Sequence, residues 1–183
     1  MGKVVILGGN ARSGKTTLAH MLTKKGYTLV SFDHIRNIVE QSFDLDFDEL
    51  TKEEKLRLFE NVVNEYLKES EAYNTNIVID MYDYLPSDIR KLKNRKKLKV
   101  YFLAYPASSH EEIRYNIIKY AAKNDWINNV NKKAFDEIIN GFEERNKILI
   151  EECSILNYPL IDTKQGLERT RVLRKLYYEI LKS

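Results

Sequence analysis

Gly9-Asn10-Ala11-Arg12-Ser13-Gly14-Lys15-Thr16 fits the spacing G-x-x-x-x-G-K-[ST] without a gap. It follows the apolar run Val4-Val5-Ile6-Leu7. It opens a stretch in which Leu18, Met21 and Leu22 share a helical face and Gly26 supplies a stop. A chain that leaves a strand, curls through glycines and enters a helix turns its backbone N–H groups into one hollow. That hollow is a nest for an anion at a helix N-terminus. The strand before and the helix after are the context that makes this spacing a site.

Each position of the stretch has a chemical reason. Lys15 carries a mobile positive charge to the β- and γ-phosphates of a nucleotide, and the Thr16 hydroxyl suits Mg²⁺. Gly9, Asn10, Ala11, Arg12, Ser13, Gly14 and Thr17 complete the expected phosphate-binding loop, with Arg12 also able to approach phosphate.

Outward from the loop, short apolar runs recur: Thr28-Leu29-Val30-Ser31-Phe32, Ile77-Val78-Ile79, Val100-Tyr101-Phe102-Leu103 and Leu160-Ile161. Continuous runs of this length suit strands buried on both faces of a parallel sheet. Helical stretches lie between them. Thr51 with Glu54 reads as a capping box before Phe59, Val62, Val63, Tyr66 and Leu67. Pro86 suits the first turn of a helix carrying Ile89 and Leu92. Phe135, Ile138, Ile139, Phe142 and Leu149 form another stripe, and Leu173, Leu176, Tyr177, Ile180 and Leu181 a last one. Strands alternating with helices imply right-handed crossovers and a doubly wound α/β domain.

With 183 residues, 43% of them hydrophobic, the chain reads as a single domain over 1–183 that can bury a large core. The lone Cys153 excludes an intramolecular disulfide. No stretch reads as a secretory signal or membrane span, and Ile6 stands where a myristoylation signal needs Ser or Thr. A soluble, cytoplasmic protein without membrane association is the expectation. A net charge of +3 does not by itself argue for nucleic acid.

The next carboxylates narrow the chemistry. Asp33 follows the second run and should project from the C-terminal edge of the sheet, where ligands bind in such folds. Asp80 ends the third run, and Asp83 follows in Asp80-Met81-Tyr82-Asp83. Acids on that edge could hold Mg²⁺ or take a proton from an attacking hydroxyl. Asp33 could instead only cap the helix that carries Ile35, Ile38 and Val39. His34, Arg36 and Asp83 are candidates for substrate contact. A switch-type GTPase should show Asp-x-x-Gly after the third strand, yet position 83 is Asp, and Asn-Lys-x-Asp is missing near the fifth.

Together the loop, Asp33, Asp80 and the helical stretch after the fourth strand resemble the P-loop kinases of the nucleoside and nucleotide kinase superfamily, which includes adenylate kinase-like, shikimate kinase-like and uridine kinase-like proteins. The resemblance implies a three-layer P-loop NTPase fold, with a five-stranded parallel sheet in the order 2-3-1-4-5 and a helical lid after strand 4, about residues 107–132. It implies ATP and Mg²⁺ as cofactors, with Lys15 on the phosphates and Thr16 and Asp80 on the metal. Asp33 would act on the acceptor side, and Asp162 and Thr163 would lie beside the adenine. It implies a kinase moving the γ-phosphoryl to a small acceptor such as a nucleoside or nucleotide, in a monomer or homodimer. Many relatives carry paired arginines in the lid. Here Arg114 is followed by Lys119 and Lys123, so bidentate clamping rests on Arg114 as the catalytic arginine, or on Arg145. Two other readings stand beside this one: a nucleotide-binding regulator or slow ATPase, and a kinase acting on polynucleotide ends.

The run from Arg90 to Lys99 is rich in Arg and Lys, but it joins a helix to the start of the fourth strand, at the edge opposite the loop. It reads as a solvated helix end, and nucleic acid is not expected as a partner. Asp44, Asp46 and Asp48 do not form a calcium loop, because Glu49 and Lys55 stand where Gly and Glu are required. Scattered His and one Cys make no zinc site.

Overall fold

Val4–Gly9 forms the first strand, β1, with every residue buried. After it come α1 (Lys15–Thr23), β2 (Tyr27–Ser31), α2 (Phe32–Phe43), α3 (Lys52–Tyr73) and β3 (Asn76–Asp80). The chain continues through α4 (Pro86–Lys91), β4 (Leu98–Ala104), α5 (His110–Lys119), α6 (Lys132–Leu156), β5 (Leu160–Asp162) and α7 (Leu167–Lys182). The structure, a computed structural model, describes residues 2–121, 123, 126–164 and 167–182.

The strands form one parallel sheet in the order β2-β3-β1-β4-β5. Alternation within β1 divides the core between two faces. Val4 and Ile6 point to the face covered by α3, α4 and α6, where they meet Phe59, Val63, Ile89 and Leu149. Val5 and Leu7 point to the other face, against Leu18 and Leu22 of α1 and Leu173 and Ile180 of α7. Full burial of such side chains contributes about 1.5–3 kcal/mol each. A third cluster joins Ile113 and Ile117 of α5 to Phe135, Ile139 and Phe142 of α6, so the helical segment after β4 rests on α6.

Local signals explain the element ends. The Thr51 hydroxyl accepts from the Glu54 N–H at 3.2 Å, while the Glu54 carboxylate accepts from the Thr51 N–H at 2.9 Å. Pro86 opens α4 at its first turn, and Gly26 turns at φ 82° after α1. The second strand ends one residue earlier than its apolar run suggests. Phe32 is buried as the first residue of α2, and the Ser31 hydroxyl accepts from the His34 N–H at 3.4 Å. Ser31 therefore caps α2, and the capping role open to Asp33 falls away. Asp33 stands in the first turn, where a carboxylate is favoured by the helix dipole. Among the described residues, no helix is long and apolar enough to cross a membrane.

Candidate active site

Register places the acids beside the loop. Leu7 of β1 pairs with Asp80 of β3, and Asp80 pairs with Ser31 of β2, so β2 and β3 end at one level while β1 runs on to Gly9 and into the loop. Asp33 and Asp80 are thereby brought to the loop at the C-terminal edge of the sheet.

The loop has the strained backbone its residues predict. Gly9 sits at φ 124°, and a Cβ there would lie 2.0 Å from the Leu103 carbonyl oxygen. Gly14 precedes α1 at φ 98°. Both conformations belong to glycine. Arg12 holds φ 58° with a full side chain, a local strain of the kind that accompanies ligand sites.

What fixes the loop is a buried amide network. The Asn10 N–H donates to the Leu103 carbonyl at 2.9 Å. Its side-chain amide donates to the Phe142 carbonyl at 2.7 Å and to Asn146 Oδ1 at 3.0 Å, while its Oδ1 accepts from the Ala11 N–H at 2.9 Å. Tyr105 donates its hydroxyl to the Ala11 carbonyl at 2.8 Å. These bonds pin the loop to β4 and α6, so its N–H groups are pre-oriented rather than ordered on binding.

Lys15 is buried and donates from Nζ to the Asn10 carbonyl at 2.8 Å. Burial lowers its pKa below the ordinary lysine value, against the opposing pull of Asp80 and then Asp33. The Thr16 hydroxyl donates to Asp80 Oδ2 at 2.6 Å. Thr16 Oγ1 and Asp80 thus present hard oxygens side by side next to Lys15. That donor set fits Mg²⁺, which takes one or two protein oxygens, keeps waters and shares phosphate oxygens. Among the described residues no group of three or more His, Cys, Asp or Glu forms an all-protein cage.

Asp33 faces the same centre. Its carboxyl is pushed above the ordinary range by partial desolvation and then by Asp80, with Lys15 pulling the other way. Asp83 is also pushed up, chiefly by burial, and its Oδ2 is buried without a hydrogen-bond partner. Arg36 is tied down by carboxylates: Glu40 at 2.9 Å, Asp48 at 2.9 Å and Asp83 at 3.4 Å, with its guanidinium over the Phe47 ring. His34 lies exposed beside Asp33.

The candidate arginines separate. Arg114 pairs with Asp136 of α6 and lies over Phe135, 5.0 Å from the ring centroid. Arg145 of α6 lies over the Tyr82 ring at 4.3 Å and donates to the Tyr82 carbonyl. The Lys15 ammonium is 5.9 Å from the same ring centroid, so Tyr82 is shared between the two cations. Arg145 and Arg169 are the arginines whose charge is felt at Lys15. The structure therefore turns Arg114 onto Asp136 and brings Arg145 towards the loop.

On the other flank of the loop, Arg12, Thr17, Asn116, Tyr120, Arg169 and Thr170 surround a cavity of about 370 Å³. Arg169 is packed against Gly14, where a Cβ would come within 3.2 Å of its Nε. Asp162 and Thr163 do not border this cavity. The buried Thr163 hydroxyl donates to the Ala104 carbonyl at 2.9 Å, and Asp162 Oδ1 accepts from the Lys164 N–H at 3.0 Å. Arg169, Asn146, Tyr82 and Tyr105 escape the sequence reading. None stands in a motif, and each reaches the loop from a distant element.

No family model and no curated protein matches the sequence. Solved structures share its fold. A shikimate kinase from Acinetobacter baumannii in complex with shikimate has a TM-score of 0.61 at 17% identity, covering 100% of this chain and 96% of that one. A gluconokinase from Sinorhizobium meliloti has a TM-score of 0.56 at 17% identity, covering 98% of this chain and 95% of the other. A dephospho-CoA kinase from Campylobacter jejuni has a TM-score of 0.54 at 13% identity, with coverages of 100% and 98%. The sheet order, the helices on both of its faces and this likeness over whole chains give the protein the P-loop kinase fold.

Proposed function

We propose that the protein is a kinase that transfers the γ-phosphoryl of ATP to a hydroxyl of a small acceptor. The observation that carries this reading is the meeting of Lys15, Thr16, Asp80 and Asp33 at one sheet edge, beside a loop held open by the Asn10 network. The fold shared with a gluconokinase, a shikimate kinase and a dephospho-CoA kinase supports small-molecule phosphotransfer.

The roles follow from position. The loop N–H groups and Lys15 bind and orient the phosphates, with the base and ribose towards the 370 Å³ cavity between α5 and α7. Thr16 and Asp80 would hold Mg²⁺, which would supply positive charge to offset that of the phosphates. Asp33, on the β2 side, orients the acceptor hydroxyl and receives its proton. Its raised pKa keeps it a competent base. Arg145 neutralises charge spreading over the transferred group, in place of Arg114. Most of the acceleration on this reading is positioning and electrostatics.

The basic run is at the wrong end for a polynucleotide substrate. Arg95–Lys97 precede β4, whose opposite end pairs with the loop residue Gly9, and Lys97 is paired with Glu71 at 2.8 Å. The test is ADP formation across nucleosides, nucleotides, sugars and hydroxy acids. Acceptor-dependent turnover that is lost in Lys15→Ala is expected. ATP turnover indifferent to every acceptor would favour the regulator or slow ATPase.

A further inference from the structure

Arg169 stands where the loop meets the cavity between α5 and α7. It borders that cavity with Arg12, Thr17, Asn116 and Tyr120. On its other side it lies against Gly14, where a Cβ would meet its Nε at 3.2 Å and its Nη2 at 3.3 Å. Glycine at this position thus serves twice, once for the φ of 98° and once for the room it leaves the guanidinium. Leu173, one turn further along α7, is buried with Leu18 and Leu22 of α1 and comes as close to Gly14. Residues four apart share a helix face, so the packing of Leu173 aims Arg169 at the loop.

The company of this arginine sets it apart. Arg36 is bonded to three carboxylates, Arg114 to Asp136, and Arg145 lies in the field of Asp83, Asp88 and Glu152. The groups whose charge bears on Arg169 are Tyr120, Tyr105 and Arg12, with no carboxylate among the described residues. Arg169 in turn adds positive potential at Lys15. Burial lowers its pKa, yet a guanidinium keeps its proton, so the cost remains as a half-buried charge without an opposite one. An anion between Arg169 and the loop would supply that opposite charge. A phosphate suits it best, because its oxygens match the planar fork.

We infer that Arg169 binds the α-phosphate of the nucleotide, gripping the phosphate chain from the cavity side while Lys15 holds its far end. This rests on the reading that the loop receives ATP. With the β- and γ-phosphates in the hollow and the ribose in the cavity, the α-phosphate is the group that must pass Gly14 and Thr17. Its charge changes little as the γ-phosphoryl leaves, since the bond that breaks lies beyond the β-phosphate. A contact to it strengthens substrate and transition state alike, and so acts on KM rather than on kcat.

The experiment is calorimetric titration of the full chain, with Mg²⁺, by a non-hydrolysable ATP analogue and by inorganic tripolyphosphate, which lacks base and ribose. Parent, Arg169→Ala and Arg169→Lys are compared, with thermal unfolding to show that each is folded. Arg169→Gln, which keeps the stem and loses the charge, replaces Arg169→Ala if that variant does not fold. Loss of the guanidinium is expected to weaken both ligands at least tenfold and by similar factors. Arg169→Lys should restore part of the loss, and KM for ATP should rise more than kcat falls. A loss for the ATP analogue with none for tripolyphosphate assigns Arg169 to base or ribose and overturns the inference. Unchanged affinity for the ATP analogue overturns it too, as does a parent that binds this analogue but no tripolyphosphate. A parent that binds neither ligand overturns the reading of the loop itself, and the inference falls with it.

Discussion

Thr16 Oγ1 donates to Asp80 Oδ2 at 2.6 Å, joining the first turn of α1 to the end of β3 across 64 positions of sequence. The hydroxyl and the carboxylate are each other's partner, so two oxygens suited to a hard cation are already held together. Thr16→Val keeps the shape and removes one of them. On the proposed function the variant should need more Mg²⁺ for half-maximal ATP turnover, and its unfolding temperature should change little because both groups are solvent-accessible. A Mg²⁺ titration of ADP formation checks this.

Asp33 gives the pH dependence its sign. Its ionised form is the one that accepts the proton, and its carboxyl is raised from the ordinary 3.8 by burial and then by Asp80. The acid limb of kcat/KM should therefore lie above the range of a free Asp, and Asp33→Asn should abolish most of the rate and the limb with it. Stability runs the other way. The folded state holds this proton more tightly than the unfolded chain, so this contribution is present at low pH and lost as pH rises through the raised value. Solvent access keeps it small. A pH profile of rate, beside thermal unfolding over the same range, reads both.

Arg145 and Arg114 are separable by substitution. Arg145→Ala should lose a charge-stabilising donor, with kcat/KM down by roughly 10²–10³, while Arg145→Lys restores only part because an ammonium lacks the planar fork. Arg114→Ala breaks a partly exposed pair with Asp136, which costs about 0–1 kcal/mol and should leave kcat near the parent value. Steady-state kinetics of the three variants decide between the arginines.

Asn146 is expected to matter without touching nucleotide. Its Oδ1 accepts from the Asn10 side-chain amide at 3.0 Å and lies 3.4 Å from the Tyr105 N–H. Asn146→Ala removes that acceptor from a buried network, at a cost of about 1–3 kcal/mol. A lower unfolding temperature and a higher KM for ATP, with kcat less affected, are the expected readings from calorimetry and kinetics.

The contrast between legible and hidden residues follows from range. The loop was readable because its parts are adjacent in sequence: two glycines at fixed offsets, Lys15, Thr16, an apolar run before and a periodic helix after. The central strands were readable because they are largely buried on both faces and so continuously apolar, as Ile77, Val78 and Ile79 are, while the edge strands β2 and β5 are only partly buried. The polar partners were not. Asn146 lies 136 positions from Asn10, and Tyr82 meets Arg145 across 63, with nothing local to mark either pair. Arg114, a lid arginine only by the resemblance, pairs with Asp136 of α6, and nothing in the sequence around it marks that acid. Asp33 was ambiguous until Ser31 was seen to cap α2, a choice between neighbours that depends on where Phe32 is buried.

The most direct measurement is a crystal structure of the protein with Mg²⁺ and a non-hydrolysable ATP analogue. The expected density has the β- and γ-phosphates in the hollow between Gly9 and Thr17, Lys15 Nζ turned from the Asn10 carbonyl onto phosphate, and the base between α5 and α7. A nucleotide bound elsewhere on the chain, or a loop whose N–H groups stay closed to the phosphates at saturating analogue, would contradict it.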